Sequence, residues 1–232
     1  MRQSRKSKFP VVLAINERNR AITSFSCDKI TVRTWERGMR FRLSGTIQYE
    51  KLDRFRMIIQ SVFGSEVDLG SNDDMFWYWS RRDPHPGMYW AKHEDYHKTR
   101  LKTPFNPLFM RDSLALNEIE LSEAEFGEND ESVVVWYDRI NALGQPIIYT
   151  VFIDKLTEQI QGILITDPTG KALAVAEVQR REDGLPSQIL YTWYEENRML
   201  GLEFSNPTVN NNISELAWMP PDYQPRINMA EE

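Results

Sequence analysis

The sequence predicts an α+β chain that is mainly β: a curved antiparallel sheet forming an incomplete, half-open β-barrel with a helical lid. Three observations predict it. From Arg40 the residues alternate strictly, with Phe41, Leu43, Gly45, Ile47 and Tyr49 on one face and Arg40, Arg42, Ser44, Thr46 and Gln48 on the other, the period-two pattern of a strand with one buried side. Later segments repeat the pattern and are joined by short turns carrying Gly, Asn, Asp or Pro, as consecutive hairpins require. Two stretches, 9–25 and 107–116, read instead as helices that need a surface to lie on. A sheet of this length must fill or cover its inner face, and a helix laid over an open half-barrel does so.

Composition narrows the class. The chain has 232 residues, and all-β units of this length often form one domain, so a single domain over 1–232 is expected. Its parts are a basic polar leader (1–8), an N-terminal amphipathic helix (9–25), an antiparallel half-barrel (26–206) with a helix insertion near 107–116, and a Pro-rich C-terminal strap (207–232). A net charge of −6 argues against nucleic acid, whose binders need a basic stripe to displace counterions. The lone cysteine, Cys27, has no internal disulfide partner and reads as a small packed side chain. The leader MRQSRKSK has the charge of an export signal, but the apolar run after it is broken by Pro10 and ends at Asn16, short of the ~7–15 uninterrupted residues such a signal needs. The expectation is therefore a cytoplasmic protein, or one whose export signal has been trimmed.

In chain order, Val12, Ile15, Ala21, Ile22 and Phe25 recur at helical spacing. From Ser26 the period switches to two, Ile30, Val32 and Thr34 opposing Lys29, Thr31 and Arg33, and Glu36-Arg37-Gly38 turns the chain into the Arg40 strand. After the Lys51-Leu52-Asp53 turn, Phe55, Met57, Ile59 and Phe63 continue the apolar face. Residues 70–74 read as a turn before the aromatic strand Phe76, Trp77, Tyr78 and Trp79, whose rings on both sides require both faces to be covered. MYWAKH is a further strand, and Asn106 with Pro107 is a cap and first helical residue. Strands follow at SVVVWYDRI, PIIYTVFID, QGILITDP, LAVAEVQRRE, QILYTWYEE and MLGLEFSN.

The chemical motifs are few. His93-Glu94-Asp95-Tyr96-His97 is a literal H-E-x-x-H, which on an α-helix stacks two imidazoles for zinc with the glutamate as general base. A zinc metallopeptidase using His93 and His97 is accordingly the alternative function, with Glu118, Glu120 or Glu123 as a third ligand. Against it stand the extra charge of Asp95, the missing apolar helix around the motif, and Pro104 close behind. Asp73 and Asp74, and Glu128, Asp130 and Glu131, lack the spacing of a calcium loop and read as solvated turn acids.

The segments TSF after the first helix, YEKLDRFRM, VDLGSNDDMFWYW and, faintly, the Pro-Pro tail stand in an order that resembles the outer-membrane lipoprotein-sorting proteins and periplasmic lipoprotein carriers, the Lol-type fold. Lys51 and Leu52 stand where that family has arginine and proline, and Phe55 where it has an aromatic residue. The resemblance implies an incomplete antiparallel barrel lidded by helices, no catalysis, no cofactor, and an apolar cavity for lipid or acylated lipoprotein. It implies a periplasmic location, or one anchored to the outer membrane and facing the periplasm, and a monomer is expected. A structural envelope module without a small ligand is a further alternative. The residues expected to line the cavity are Phe41, Leu43, Ile47, Phe55, Met57, Ile59, Leu108, Phe109 and Met110.

Overall fold

The structure is a computed structural model, and it describes residues 10–36, 39–51, 53–99, 101 and 106–231. The basic leader, Arg37 and Gly38 of the first turn, and Leu52 of the second lie outside the described residues. Helix α1 (Pro10–Arg20) is followed by strands β1 (Ser24–Glu36), β2 (Met39–Glu50), β3 (Arg54–Ser61), β4 (Gly64–Ser71), β5 (Met75–Ser80) and β6 (Met88–Lys92). A 3-10 helix (His93–Lys98) and helix α2 (Pro107–Asp112) come next. The second half comprises β7 (Glu125–Glu128), β8 (Ser132–Ile140), β9 (Pro146–Asp154), β10 (Gln159–Thr166), β11 (Ala172–Arg180), β12 (Pro186–Trp193) and β13 (Arg198–Phe204). The tail adds β14 (Thr208–Val209), a 3-10 helix (Glu215–Trp218) and β15 (Arg226–Asn228).

All these strands belong to one sheet in the order β15-β6-β5-β4-β3-β2-β1-β13-β12-β11-β10-β9-β8-β7, with β14 on β1. It is a single open, curved sheet that does not close into a barrel. The first and last hairpin strands meet where β1 pairs β13 antiparallel, Val32 opposite Leu202, so the two halves of the chain share one inner face. Three hairpins of the second half use one turn: Asn141, Asp167 and Arg181 each bond the residue four on, and Gly144, Gly170 and Gly184 take positive φ at the fourth position, where a Cβ would be strained.

The alternation from Arg40 is observed: Ile47 and Tyr49 are buried, as are Phe55, Met57 and Ile59 on the neighbouring strand, and Ile47 pairs Met57 across β2 and β3. Four details differ from the sequence reading. Helix α1 stops at Arg20 because Ser24 and Phe25 are drawn into pairing with Glu50 and Tyr49. Helix α2 stops at Asp112, since Ala115 takes φ +54 and leads the chain away. Phe63 is 79 % exposed, because with Val62 it forms the tip of the β3–β4 hairpin rather than continuing the strand. Gly70 and Ser71 belong to β4, and Gly70 is small because the Trp77 ring lies where its Cβ would stand.

The rings of β5 do cover both faces. Trp77 is fully buried on the outer side, beneath the tail. That tail is tied rather than loose. Arg56 grips Asp68 with two bonds, of 2.8 and 3.2 Å, and donates to the carbonyls of Ala217 and Met219. Trp77 Nε1 also donates to Asp68. Trp79 stacks on Tyr223 at 4.0 Å, and β15 joins β6 in the sheet's parallel pairing. Asp68 is 2 % exposed, so Arg56→Ala leaves a buried carboxylate without its counter-charge and is expected to cost about 3–5 kcal/mol. Urea denaturation measures it, and the same substitution should release the tail to proteolysis near Met219.

Candidate functional site

The inner face is crossed by the chain between α2 and β7. This crossing forms neither helix nor strand beyond Asp112, so its buried peptide groups need other partners. Side chains supply them. Asn16 of α1 donates to the Ile119 carbonyl at 2.9 Å and accepts from its N–H at 2.7 Å. Asn19 donates to the carbonyls of Ala115 and Asn117, and Tyr137 to that of Glu120. The Tyr49 hydroxyl donates to the Asn117 side chain. From β11, Arg180 reaches the carbonyls of Ile160, Gly184, Leu114 and Ala115. Burial of that guanidinium, with Arg18 nearby, lowers its pKa to about 10.

YEKLDRFRM supplies further ties. Lys51 Nζ bonds the Asn19 carbonyl at the end of α1, a helix C-terminal contact. Asp53 pairs with Arg111 of α2, and Arg54 joins Glu50, Asp73 and Glu215.

Two partly open cavities remain on the inner face, one of them against the crossing. The first, about 450 Å³, lies between the crossing and β8–β10, against Leu108, Phe109, Tyr149, Val151, Ile163 and Ile165. The second, about 630 Å³, lies over β1–β5 and the start of β13, against Val32, Phe41, Leu43, Ile59, Val67 and Leu200. Several of their charged groups are engaged with neighbours. Arg111 holds Asp112 at 2.9 Å as well as Asp53, Arg139 lies 5.2 Å over the Tyr137 ring, and Arg82 lies 5.7 Å over Phe41 while bonding Glu66 at 3.2 Å. The Ser61 hydroxyl and the Arg82 guanidinium hold the Glu66 carboxyl below its ordinary range. Burial pushes the phenols of Tyr137 and Tyr78 up to about 12, and that of Tyr149 well up, which removes them from proton transfer near neutrality.

The residues expected to line one cavity are divided by the structure. Phe41, Leu43 and Ile59 line the larger cavity, and Leu108 and Phe109 the smaller. Ile47, Phe55, Met57 and Met110, each 0–1 % exposed, are packed in the core: α2 sits directly on β3, β4 and β5 and fills the space they would have opened onto. The sequence reading missed Tyr149, Val151, Ile163 and Ile165. Their alternation in PIIYTVFID and QGILIT marked an inner face, but not which part of it stays uncovered.

The H-E-x-x-H segment forms a single 3-10 helix. At three residues per turn, positions four apart diverge by roughly 120°, so His93 and His97 do not share a face. His93 Nε2 lies 2.7 Å from the Asn72 carbonyl. Among the described residues no group of three His, Cys, Asp or Glu side chains is placed to hold a metal ion. Cys27 is buried, its thiol on the carbonyls of Lys29 and Ser205. Among the described residues no helix is long and apolar enough to cross a membrane.

Comparison with known proteins bears on the fold. No protein-family model and no curated protein matches the sequence. Among solved structures, an outer membrane lipoprotein-sorting protein domain from Vibrio parahaemolyticus matches with a TM-score of 0.61 at 10 % identity, over 92 % of this chain and 96 % of that one. A DUF1329 family protein from Desulfovibrio piger matches at 0.59, 11 % identity and the same coverages. A LolA superfamily protein from Nitrosomonas europaea matches at 0.57 and 8 % identity, over 90 % of this chain and 97 % of that one. The chain therefore has the Lol-type fold, as the order of its motifs suggested.

The clamps on the crossing are testable. Asn16→Ala leaves the Ile119 N–H and carbonyl buried without partners and should cost about 2–3 kcal/mol in denaturant titration. Arg20→Ala, which removes an exposed pair with Glu118, should leave the unfolding midpoint unchanged.

Proposed function

We propose that the protein is a non-enzymatic cell-envelope carrier or acceptor that holds the hydrocarbon chains of a lipid or acylated lipoprotein on the inner face of its sheet. The observation that carries the reading is the pair of partly open cavities on the inner face, whose walls are mainly apolar with charged groups among them. Each methylene removed from water contributes about 0.8 kcal/mol, so a chain binds such a wall without a specific polar contact. The pairing of Glu66 with Arg82 and of Asp112 with Arg111, and the raised phenols of Tyr137, Tyr78 and Tyr149, fit a binding wall better than a site of acid–base work. The Lol-type fold supports the same reading, since two structures sharing it are described as a lipoprotein-sorting domain and a LolA superfamily protein. That likeness supports a periplasmic setting, free or anchored at the outer membrane, as part of this reading.

Half-buried and buried wall positions should respond differently. Leu43 is half-buried in the larger cavity and Leu108 in the smaller, so Leu43→Glu and Leu108→Glu can turn a carboxylate toward solvent and keep the fold. Each should weaken a fluorescent fatty-acid probe at its own cavity at least roughly tenfold, the loss of about two buried methylenes, so that the number of probes bound falls in each single variant and both sites are lost in the double variant. Met57→Glu, at a fully buried position, should unfold the protein instead. Unchanged probe affinity and stoichiometry in a folded Leu43→Glu/Leu108→Glu double variant would remove the cavities from this role.

A further inference from the structure

The sheet ends at β7, which is shorter than the strand it pairs. Its four residues lie opposite residues 133–136, whereas β8 runs on to Ile140. The Asn141 N–H bonds the Gln145 carbonyl, so the hydrogen-bonded pairs of β8 with β9 include Arg139 with Ile147 and Tyr137 with Tyr149. Pro146, which has no N–H, accordingly stands opposite Ile140 in a pair that needs none. Asp138 and Ile140 therefore direct their peptide groups away from β9, beyond the reach of β7, and no strand of the described residues pairs with them there. An edge of this kind is a template for a further strand.

The outer face beside that edge carries a groove of about 420 Å³, lined by Trp136 and Ile148 and by Glu123, Glu125 and Asp138. Strand pairing brings these together. Trp136 lies opposite Glu125 and Asp138 opposite Ile148, and Trp136 and Asp138, two apart on β8, share a face. The two apolar side chains are half-buried and the three acids exposed. Glu128, further along β7, pairs with Lys155 at 2.9 Å, but among the described residues Glu123, Glu125 and Asp138 have no cationic partner. The tail that stacks on Trp79 lies at the other end of the strand order, and Tyr137 turns inward to the smaller cavity, so the groove is separate from the inner face.

We infer that this edge takes a basic, extended segment of a partner protein, its backbone added antiparallel to β8 beyond β7 and an arginine or lysine side chain laid on Trp136 among Glu123, Glu125 and Asp138. The free peptide groups select a polypeptide. Three carboxylates around an indole select a cation, which gains from both the charges and the ring face. A residue set opposite Asp138 in such a strand has its side chain on the outer face, over the groove, and turns its own N–H to β8. Two copies of this chain joined edge to edge would bring two sets of these acids together, which charge disfavours. The inference does not depend on the acyl-binding reading.

Fluorescence anisotropy tests it with a labelled peptide of about eight residues alternating arginine and threonine, which in a strand puts every arginine on one face. The wild-type protein should bind it. Affinity should fall at least tenfold in a Glu125→Gln/Asp138→Asn variant, whose exposed positions leave the fold intact, while binding of a fatty-acid probe to the same variant stays unchanged. Methyl groups on the arginine peptide nitrogens, which face β8, should also cost at least tenfold, and methyl groups on the threonine nitrogens, which face away, should cost little. No binding by the wild type, or unchanged affinity in the folded variant, would overturn the inference. So would binding of the arginine-methylated peptide, or of spermine, as tight as that of the plain peptide, since a patch that merely attracts cations behaves so. A wild-type dimer that becomes monomeric both in that variant and on removal of residues 1–8 would assign the groove to the basic leader of a second copy and overturn the partner reading.

Discussion

The structure depends on one constraint: an open sheet with an apolar inner face must be covered by chain whose own backbone has no ladder to join. Residues 113–120 meet it by hydrogen bonds to side chains, with Asn16, Asn19, Tyr137 and Arg180 on their peptide groups and Tyr49 on the side chain of Asn117. An unsatisfied buried peptide group costs about 1–3 kcal/mol, so several such bonds decide where the crossing lies. They also account for two buried asparagines on a helix that would otherwise present only Val12 and Ile15 to the core. Helix α1 acts less as a lid than as the anchor of one.

That constraint explains the placement of empty space. Where α2 sits on β3, β4 and β5, the inner face is filled to core density by Met57, Leu69 and Met110. To either side of it the sheet curves on and is left incompletely covered, by the crossing on one side, and two cavities remain. The outer face is managed separately. The tail is held by the Arg56–Asp68 pair and by β15, which covers the tryptophans that the inner face has no room for.

Much of the fold was legible because strands of period two and short glycine turns are local signals. SVVVWYDRI and PIIYTVFID became β8 and β9 to the residue, and Asn106 caps α2 as its position before Pro107 implied. What was not legible is non-local. Asn16 and Asn19 look like the wet side of an amphipathic helix, and only the crossing, about a hundred residues later, turns them inward. β7 and β15 are too short to show a period. The cavity walls fall between these cases: Phe41, Leu43 and Ile59 alternate as read and border one cavity, and Leu108 and Phe109, just inside the helix that Asn106 caps, border the other. Ile47, Phe55, Met57 and Met110 obey the same pattern but lie under the helix, and periodicity does not report which stretch of an inner face another element covers.

The central claim is that the open parts of this inner face hold hydrocarbon. A crystal structure with a bromine-labelled fatty acid tests it most directly, because anomalous scattering locates the chain without reference to any variant. The account predicts bromine against Leu43 and Ile59 in one cavity and against Leu108 and Ile163 in the other. Bromine confined to the outer surface or to the exposed Val62–Phe63 tip, with both cavities free of ligand, would contradict it.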